Sequence, residues 1–129
     1  MNFQYFLSFS VLLFFFLFFQ WSILIPSKQV PPFSEKKMQI AKAIIERTAN
    51  VDFQKIDASA LYKQKCISCH GPEGNLQMYN APDLSQSDIN LELAVAYLYH
   101  GKRMMPSFNK KMTEAEIVAM AHYIEKAFK

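Results

Sequence analysis

No Lys, Arg, Asp, Glu or His occurs before Lys28, and this absence splits the chain into two unlike parts. The net charge of +3 belongs wholly to residues 28–129, while eight of the twelve Phe residues lie before Trp21. Phe3 to Ile25 is apolar apart from Gln4, Ser8, Ser10, Gln20 and Ser22. As a helix rising about 1.5 Å per residue, that stretch is roughly 34 Å long, enough for a bilayer core. Trp21 suits the interface at its far end. A buried core helix is excluded, because the rest of the chain is too small to wrap it. A cleaved leader would carry a basic start and a small-x-small site after the apolar run; neither is present. The expectation for residues 1–25 is an uncleaved, single-pass membrane anchor.

Pro26, Pro31 and Pro32 stop that helix and open an extended linker, assigned here to residues 26–50. Within it, Ser34 can cap a helix over about Glu35 to Thr48, with Met38, Ala41, Ile44 and Ile45 as its apolar stripe. It fits either a spacer that packs on the globular part or a partner, or an ordinary surface helix. Residues 51–129 form the second part. A unit of that size buries a modest core and usually needs a staple or a cofactor. Its two cysteines, Cys66 and Cys69, are too close for a disulfide to stabilise much.

Those cysteines stand in Cys66-Ile67-Ser68-Cys69-His70, the attachment signature of c-type haem. At i and i+3 of one helical turn, both thiols face the same side and can form thioethers to the two vinyl groups of one porphyrin. His70, four residues after Cys66, is then placed as an iron ligand, and Gly71-Pro72 ends the turn. A thioredoxin-like redox site would need a βαβ setting, which the pattern lacks. A zinc site would need four ligands, but these three are bunched and only His100 and His122 remain. On the opposite side of an iron, a soft thioether suits the ferrous state and raises the potential. Met104-Met105-Pro106-Ser107-Phe108 supplies two candidates. Pro106 pushes Met105 into an extended conformation that can hold its side chain across a haem.

His70-Gly71, Ala81-Pro82-Asp83-Leu84, Gly101, Met105-Pro106-x-Phe108 and the closing Glu116-Ile117…Tyr123-Ile124 helix together resemble the class I cytochromes c over about Ala58 to Phe128. The resemblance implies an all-α fold: a small cytochrome c helical domain around one covalent haem c. Here that domain would be preceded by the single transmembrane helix. It implies His70 and Met105, the Met directly before the Pro, as axial ligands. It also implies that the Pro82 carbonyl accepts a hydrogen bond from the His70 ring. One departure stands at Ala58, where many members have Gly at the crossing of the first and last helices; a methyl there should tighten or shift the crossing.

Three helices are read from the residues alone. The first covers 58–67, capped by Asp57 or Ser59, with Leu61 and Tyr62 facing inward or toward the last helix. The second covers about Ile89 to His100, capped by Ser87 or Asp88 and stopped by Gly101. The third covers about Glu114 to Phe128, opened by a Thr113/Glu116 capping box, with Ile117, Met120, Ala121, Ile124 and Phe128 as its stripe. His122 lies off that stripe and reads as a surface histidine; His100 reads as a helix C-terminal cation site. Lys102 and Arg103 either pair with haem propionates or form a solvated basic patch. Tyr79 and Tyr97 either line a haem crevice or fill the core.

An iron with two protein ligands has no open position, which leaves outer-sphere transfer of single electrons and no small-molecule substrate at the metal. No carboxylate pair, phosphate loop or second Cys/His cluster points to catalysis, and nothing points to nucleic acid. The expected role is a membrane-anchored carrier between respiratory partners, a quinol-oxidising complex and a terminal oxidase or reductase. The alternatives are a fixed cytochrome subunit of such a complex and, less favoured, a haem-based sensor with a labile sixth ligand. Lys28, Lys36 and Lys37 after the anchor would weakly favour a cytoplasmic haem domain. The resemblance implies haem attachment on the outer, periplasmic side, and that side is the expectation.

Overall fold

A computed structural model describes residues 32–128. The anchor expected over 1–25 lies outside them. Among the described residues, no helix is long and apolar enough to cross a membrane. They are mostly helical and contain no strand, only an isolated antiparallel bridge between Lys102 and Met105.

Helix α1, Glu35–Arg47, begins after Ser34, whose backbone is extended and whose carbonyl accepts from the Lys37 and Met38 amides; its hydroxyl makes no cap. Glu35 in the first turn and Arg47 in the last suit the helix dipole. Ala41 and Ile44 are fully buried, and α1 packs on the helix Leu91–His100 and on the C-terminal helix. The helix expected within a linker thus lies inside the compact unit Phe33–Lys129.

Helix α2, Ala58–Lys65, is capped by Asp57, whose carboxylate accepts from the Ala60 amide. A single helix to residue 67 was expected, but the chain breaks at Cys66 (φ −119°) and resumes as α3, Ile67–His70. Helix α4, Leu91–His100, starts later than expected. The cap is Asn90, accepting from the Leu93 amide, because Ser87 closes a 3-10 turn over Leu84–Gln86 instead. Helix α5, Glu114–Ala127, has the expected capping box: the Glu116 amide donates to Thr113 Oγ1, and the Thr113 amide donates to Glu116 Oε2.

The core lies where α1, α4 and α5 meet. Val95, Ala96 and Leu98 of α4 and Ile117, Val118, Met120 and Ala121 of α5 are almost completely buried. Helix α2 packs on α5 through Tyr62, whose ring meets those of Tyr123 and Phe128 at 5.8 and 5.1 Å between centroids. His122 is exposed and leans on Phe53, consistent with its place off the stripe.

Candidate functional site

The turn α3 carries Cys69 and His70, and Cys66 is its N-cap. The Cys69 and His70 amides both donate to the Cys66 carbonyl, at 3.1 and 3.0 Å, so the three residues share one turn. Cys66 is 8% exposed and belongs to the core cluster; Cys69 is half-buried. Burial, with a smaller push from Cys69, raises the Cys66 thiol to about 11 against the opposing charge of Lys65. A thiol–disulfide redox site needs the opposite, a thiol lowered toward neutrality.

Gly71 ends the turn with φ +76°, and a Cβ there would lie 2.7 Å from Leu76 Cβ. The chain then folds back: the Leu76 amide donates to the His70 carbonyl, and the Leu84 amide donates to the Gly74 carbonyl. This return brings Pro82 to His70. The ring Nδ1 lies 3.3 Å from the Pro82 carbonyl oxygen. A carbonyl only accepts, so the hydrogen sits on Nδ1, and Nε2 keeps its lone pair. Burial lowers the His70 pKa, partly offset by this hydrogen bond. Burial thus favours the neutral imidazole and the hydrogen bond orients it, which together give the form that ligates a metal.

Between Gly71 and Leu84 the backbone is strained. Gln77, Tyr79 and Asn80 all have φ between 54° and 60°. Non-Gly residues rarely adopt such values, and they cluster at ligand clamps. Leu76, Met78 and Tyr79 are exposed apolar side chains on this segment, Tyr79 at 68%. Tyr97 sits elsewhere, half-buried with its ring edge-on to Phe33 at 4.9 Å.

The methionine pair divides. Met104 is 72% exposed, whereas Met105 is half-buried against the core cluster. Lys102 and Met105 exchange both backbone hydrogen bonds at 3.0 Å. The Ser107 hydroxyl donates to the Tyr99 carbonyl, and the Phe108 amide to the Leu98 carbonyl, so the segment after Pro106 is fastened to α4. Gly101 permits this approach: with φ +66°, a Cβ there would lie 2.6 Å from both the Met105 carbonyl oxygen and the Ser107 nitrogen.

Two features were not read from the sequence. The Tyr62 hydroxyl donates to the Gly71 carbonyl at 2.7 Å, tying α2 to the end of the cysteine turn. A buried tyrosine needs a partner for its hydroxyl, which was the available signal. Phe33, ahead of α1, is 6% exposed and carried no periodic signal at all.

The donor set fits a covalent haem: two thiols and an imidazole on one turn, a ring nitrogen with its lone pair oriented, and exposed apolar side chains on the segment that follows. A family model described as cytochrome C oxidase, cbb3-type, subunit III, matches residues 55–124. Cytochrome c6 of Parathermosynechococcus lividus is 32% identical over 73 residues, covering 53% of this chain and 84% of that protein. Cytochrome c6 of a Synechococcus strain is also 32% identical over 73 residues, covering 53% of this chain and 65% of that protein. The chain therefore belongs to the cytochrome c family, as a monohaem c-type electron carrier with covalently bound haem c and its iron.

Proposed function

We propose that this protein is a membrane-anchored cytochrome that passes single electrons between respiratory-chain partners. Cys66 and Cys69 would hold the haem by thioethers, and His70 Nε2 and Met105 Sδ would ligate its iron. The observation that carries this reading is the His70 Nδ1–H bond to Pro82, which aims the other ring nitrogen while leaving it free to ligate. When bound, the haem supplies a one-electron Fe(III)/Fe(II) couple. The chain's own residues fix the ligand geometry. Pro82 holds the imidazole, and Gly101 with the Lys102–Met105 bridge holds the thioether loop. With His70 and Met105 both on the iron, no position would be left for a substrate. Of the two basic residues next to the ligand loop, the exposed Arg103 would be the one to pair with a haem propionate, because the Lys102 ammonium lies over the Phe33 and Tyr97 rings.

The Phe3–Ile25 segment is read as the anchor, with the haem domain on the outer, periplasmic side. Confinement to one surface raises the effective concentration at membrane partners, here a quinol-oxidising complex and a terminal oxidase or reductase. A second reading, a fixed subunit of such a complex, is favoured by the oxidase-subunit description of the matching family model.

Four measurements test these readings. A pyridine haemochrome assay on the full-length protein should report one covalent haem c per chain, and Cys66→Ala with Cys69→Ala should abolish it. The ferric protein should show a sulfur-to-iron charge-transfer band that Met105→Ala removes and Met104→Ala keeps; the reverse result would reassign the ligand. Detergent extraction and sizing should give a lone haem protein, whereas stable co-purification with an oxidase selects the fixed subunit. Protease should reach the haem domain in spheroplasts, and protection there would invert the topology.

A further inference from the structure

Phe33 precedes α1 and lies outside the region matched by the family model, yet it is as buried as the core. Its ring is gripped by groups from two parts of the chain. From α4 come Tyr97, edge-on at 4.9 Å, and His100 at 6.0 Å. The ammonium groups of Lys37 and Lys102 lie 5.6 and 5.2 Å from its centroid, and that of Lys102 is also 5.9 Å from the Tyr97 ring. His100 Nε2 lies 3.2 Å from the Lys37 carbonyl, which can only accept, so the imidazole N–H joins the end of α4 to the first turn of α1.

Lys102 also forms the base of the methionine loop. Its amide donates to the Met105 carbonyl and its carbonyl accepts from the Met105 amide, both at 3.0 Å. Residues 102–105 are therefore a closed turn, with Arg103 left-handed at φ 55°. One end of Lys102 is fixed to Met105 by its backbone, and the other rests on Phe33 and Tyr97. A cation against aromatic faces in a half-buried setting restrains a long, otherwise mobile side chain.

We propose that Phe33 is a positioning residue for Met105: by seating the Lys102 side chain, it restrains the turn that presents the thioether to the iron. This rests on the reading of Met105 as the axial ligand. It makes a residue of the N-terminal extension, absent from the region shared with the family, part of the machinery that keeps the iron closed.

The test is competition for the sixth position in the full-length ferric holoprotein. Imidazole is titrated in while the sulfur-to-iron band is followed, and the reduction potential is measured alongside. Phe33→Ala is expected to raise the apparent imidazole affinity about tenfold and to lower the potential. Phe33→Leu keeps an apolar side chain but removes the aromatic face, and should give a rise of about threefold. The control is Ile44→Ala, which removes a fully buried side chain from α1, the helix that Phe33 precedes. It should stay within about twofold of the parent despite its loss of stability. Equal shifts in Phe33→Ala and Ile44→Ala would mean general loosening and overturn the proposal, as would unchanged affinity in the Phe33 variants. If Phe33→Ala does not fold, Phe33→Leu against Ile44→Ala decides on the same terms. A parent protein without the band before any titration would instead overturn the axial assignment, and this inference with it.

Discussion

Where α1 crosses α4 and α5, side chains vanish from solvent: Ala41, Ile44, Val95, Ile117 and Met120 are fully buried, with α4 capped by Asn90 and α5 by Thr113. Between Gly71 and Leu84 the arrangement is inverted. The only regular structure there is the pair of 3-10 turns Met78–Asn80 and Leu84–Gln86, the apolar side chains face outward, and several residues hold positive φ. The helical face is held by burial. The loops around His70 and Met105 are held by backbone hydrogen bonds, such as Leu76 to His70, Leu84 to Gly74 and Lys102 to Met105. Outside Phe33, Tyr62 and Cys66, which belong to the core and also reach the site, stability and ligand geometry rest on separate sets of residues, and substitutions can pull the two properties apart.

The largest expected effect is on the helical face. Ile44→Ala removes a fully buried side chain and should destabilise the protein by about 2–5 kcal/mol in denaturant unfolding, with the reduction potential unmoved. Gly101→Ala is its counterpart on the loop side. Placing an L side chain at φ +66° costs about 1–3 kcal/mol, and its Cβ meets the Met105 carbonyl oxygen. Here the potential and the sulfur-to-iron band should move although the stability loss is smaller. If Ile44→Ala shifted the potential as much as Gly101→Ala, the division between the two regions would fail.

The two regions also differ in how far the sequence reveals them. The capping box at Thr113, the stripe of α5 and the buried Ala41 and Ile44 follow from periodicity and local chemistry, because a helix repeats its contacts every few residues. The start of α4 was misplaced because Ser87, Asp88 and Asn90 can all act as caps, and only packing chooses among them. In the site, Cys-x-x-Cys-His is legible because its geometry lies within one turn. The approach of Pro82 to His70 was reached through family likeness, since it depends on strained backbone at Gln77, Tyr79 and Asn80 that no residue type there announces. Phe33 packs against a distant segment and left no local signal, and the Lys102–Met105 bridge closes a turn through a left-handed Arg103 that its residue type does not announce.

Tyr62 joins the two regions and gives an intermediate effect. Its ring packs on α5 while its hydroxyl holds the Gly71 carbonyl at the end of the cysteine turn. Tyr62→Phe keeps the ring and strands the carbonyl, at an expected cost of about 1–2 kcal/mol. Burial, with smaller contributions from Cys66 and Tyr123, raises the Tyr62 pKa from 10.0 to about 12. A folded value above the unfolded one gives stability that is complete below pH 10 and lost as pH rises toward 12. Thermal melts across that window should fall more steeply for the parent than for Tyr62→Phe. Equal slopes would show that the hydroxyl is not protected by the fold.

The smallest effect is at the exposed end of the helical face. Arg47 closes α1 and grips Glu114 at the start of α5, with Nε 3.0 Å from Oε2 and Nη2 2.6 Å from Oε1. The hydrogen bond from Arg47, reinforced by its charge and opposed by slight desolvation, lowers the Glu114 pKa; Arg47 shifts upward in agreement. A depressed folded value gives stability present above the unfolded value near 4.5 and lost as pH falls through the folded one. Between neutral pH and that acid range, the melting temperature of the parent should therefore drop slightly more than that of Glu114→Gln. Added salt should narrow the gap, because both partners are exposed. The reduction potential of Glu114→Gln should match the parent at every pH. This pair fastens the C-terminal end of α1, while Phe33 sits just ahead of the N-terminal end, beside the methionine loop. A potential that followed Glu114 would mean that α1 acts on Met105 as a whole rigid body rather than through the contact of Phe33 with Lys102.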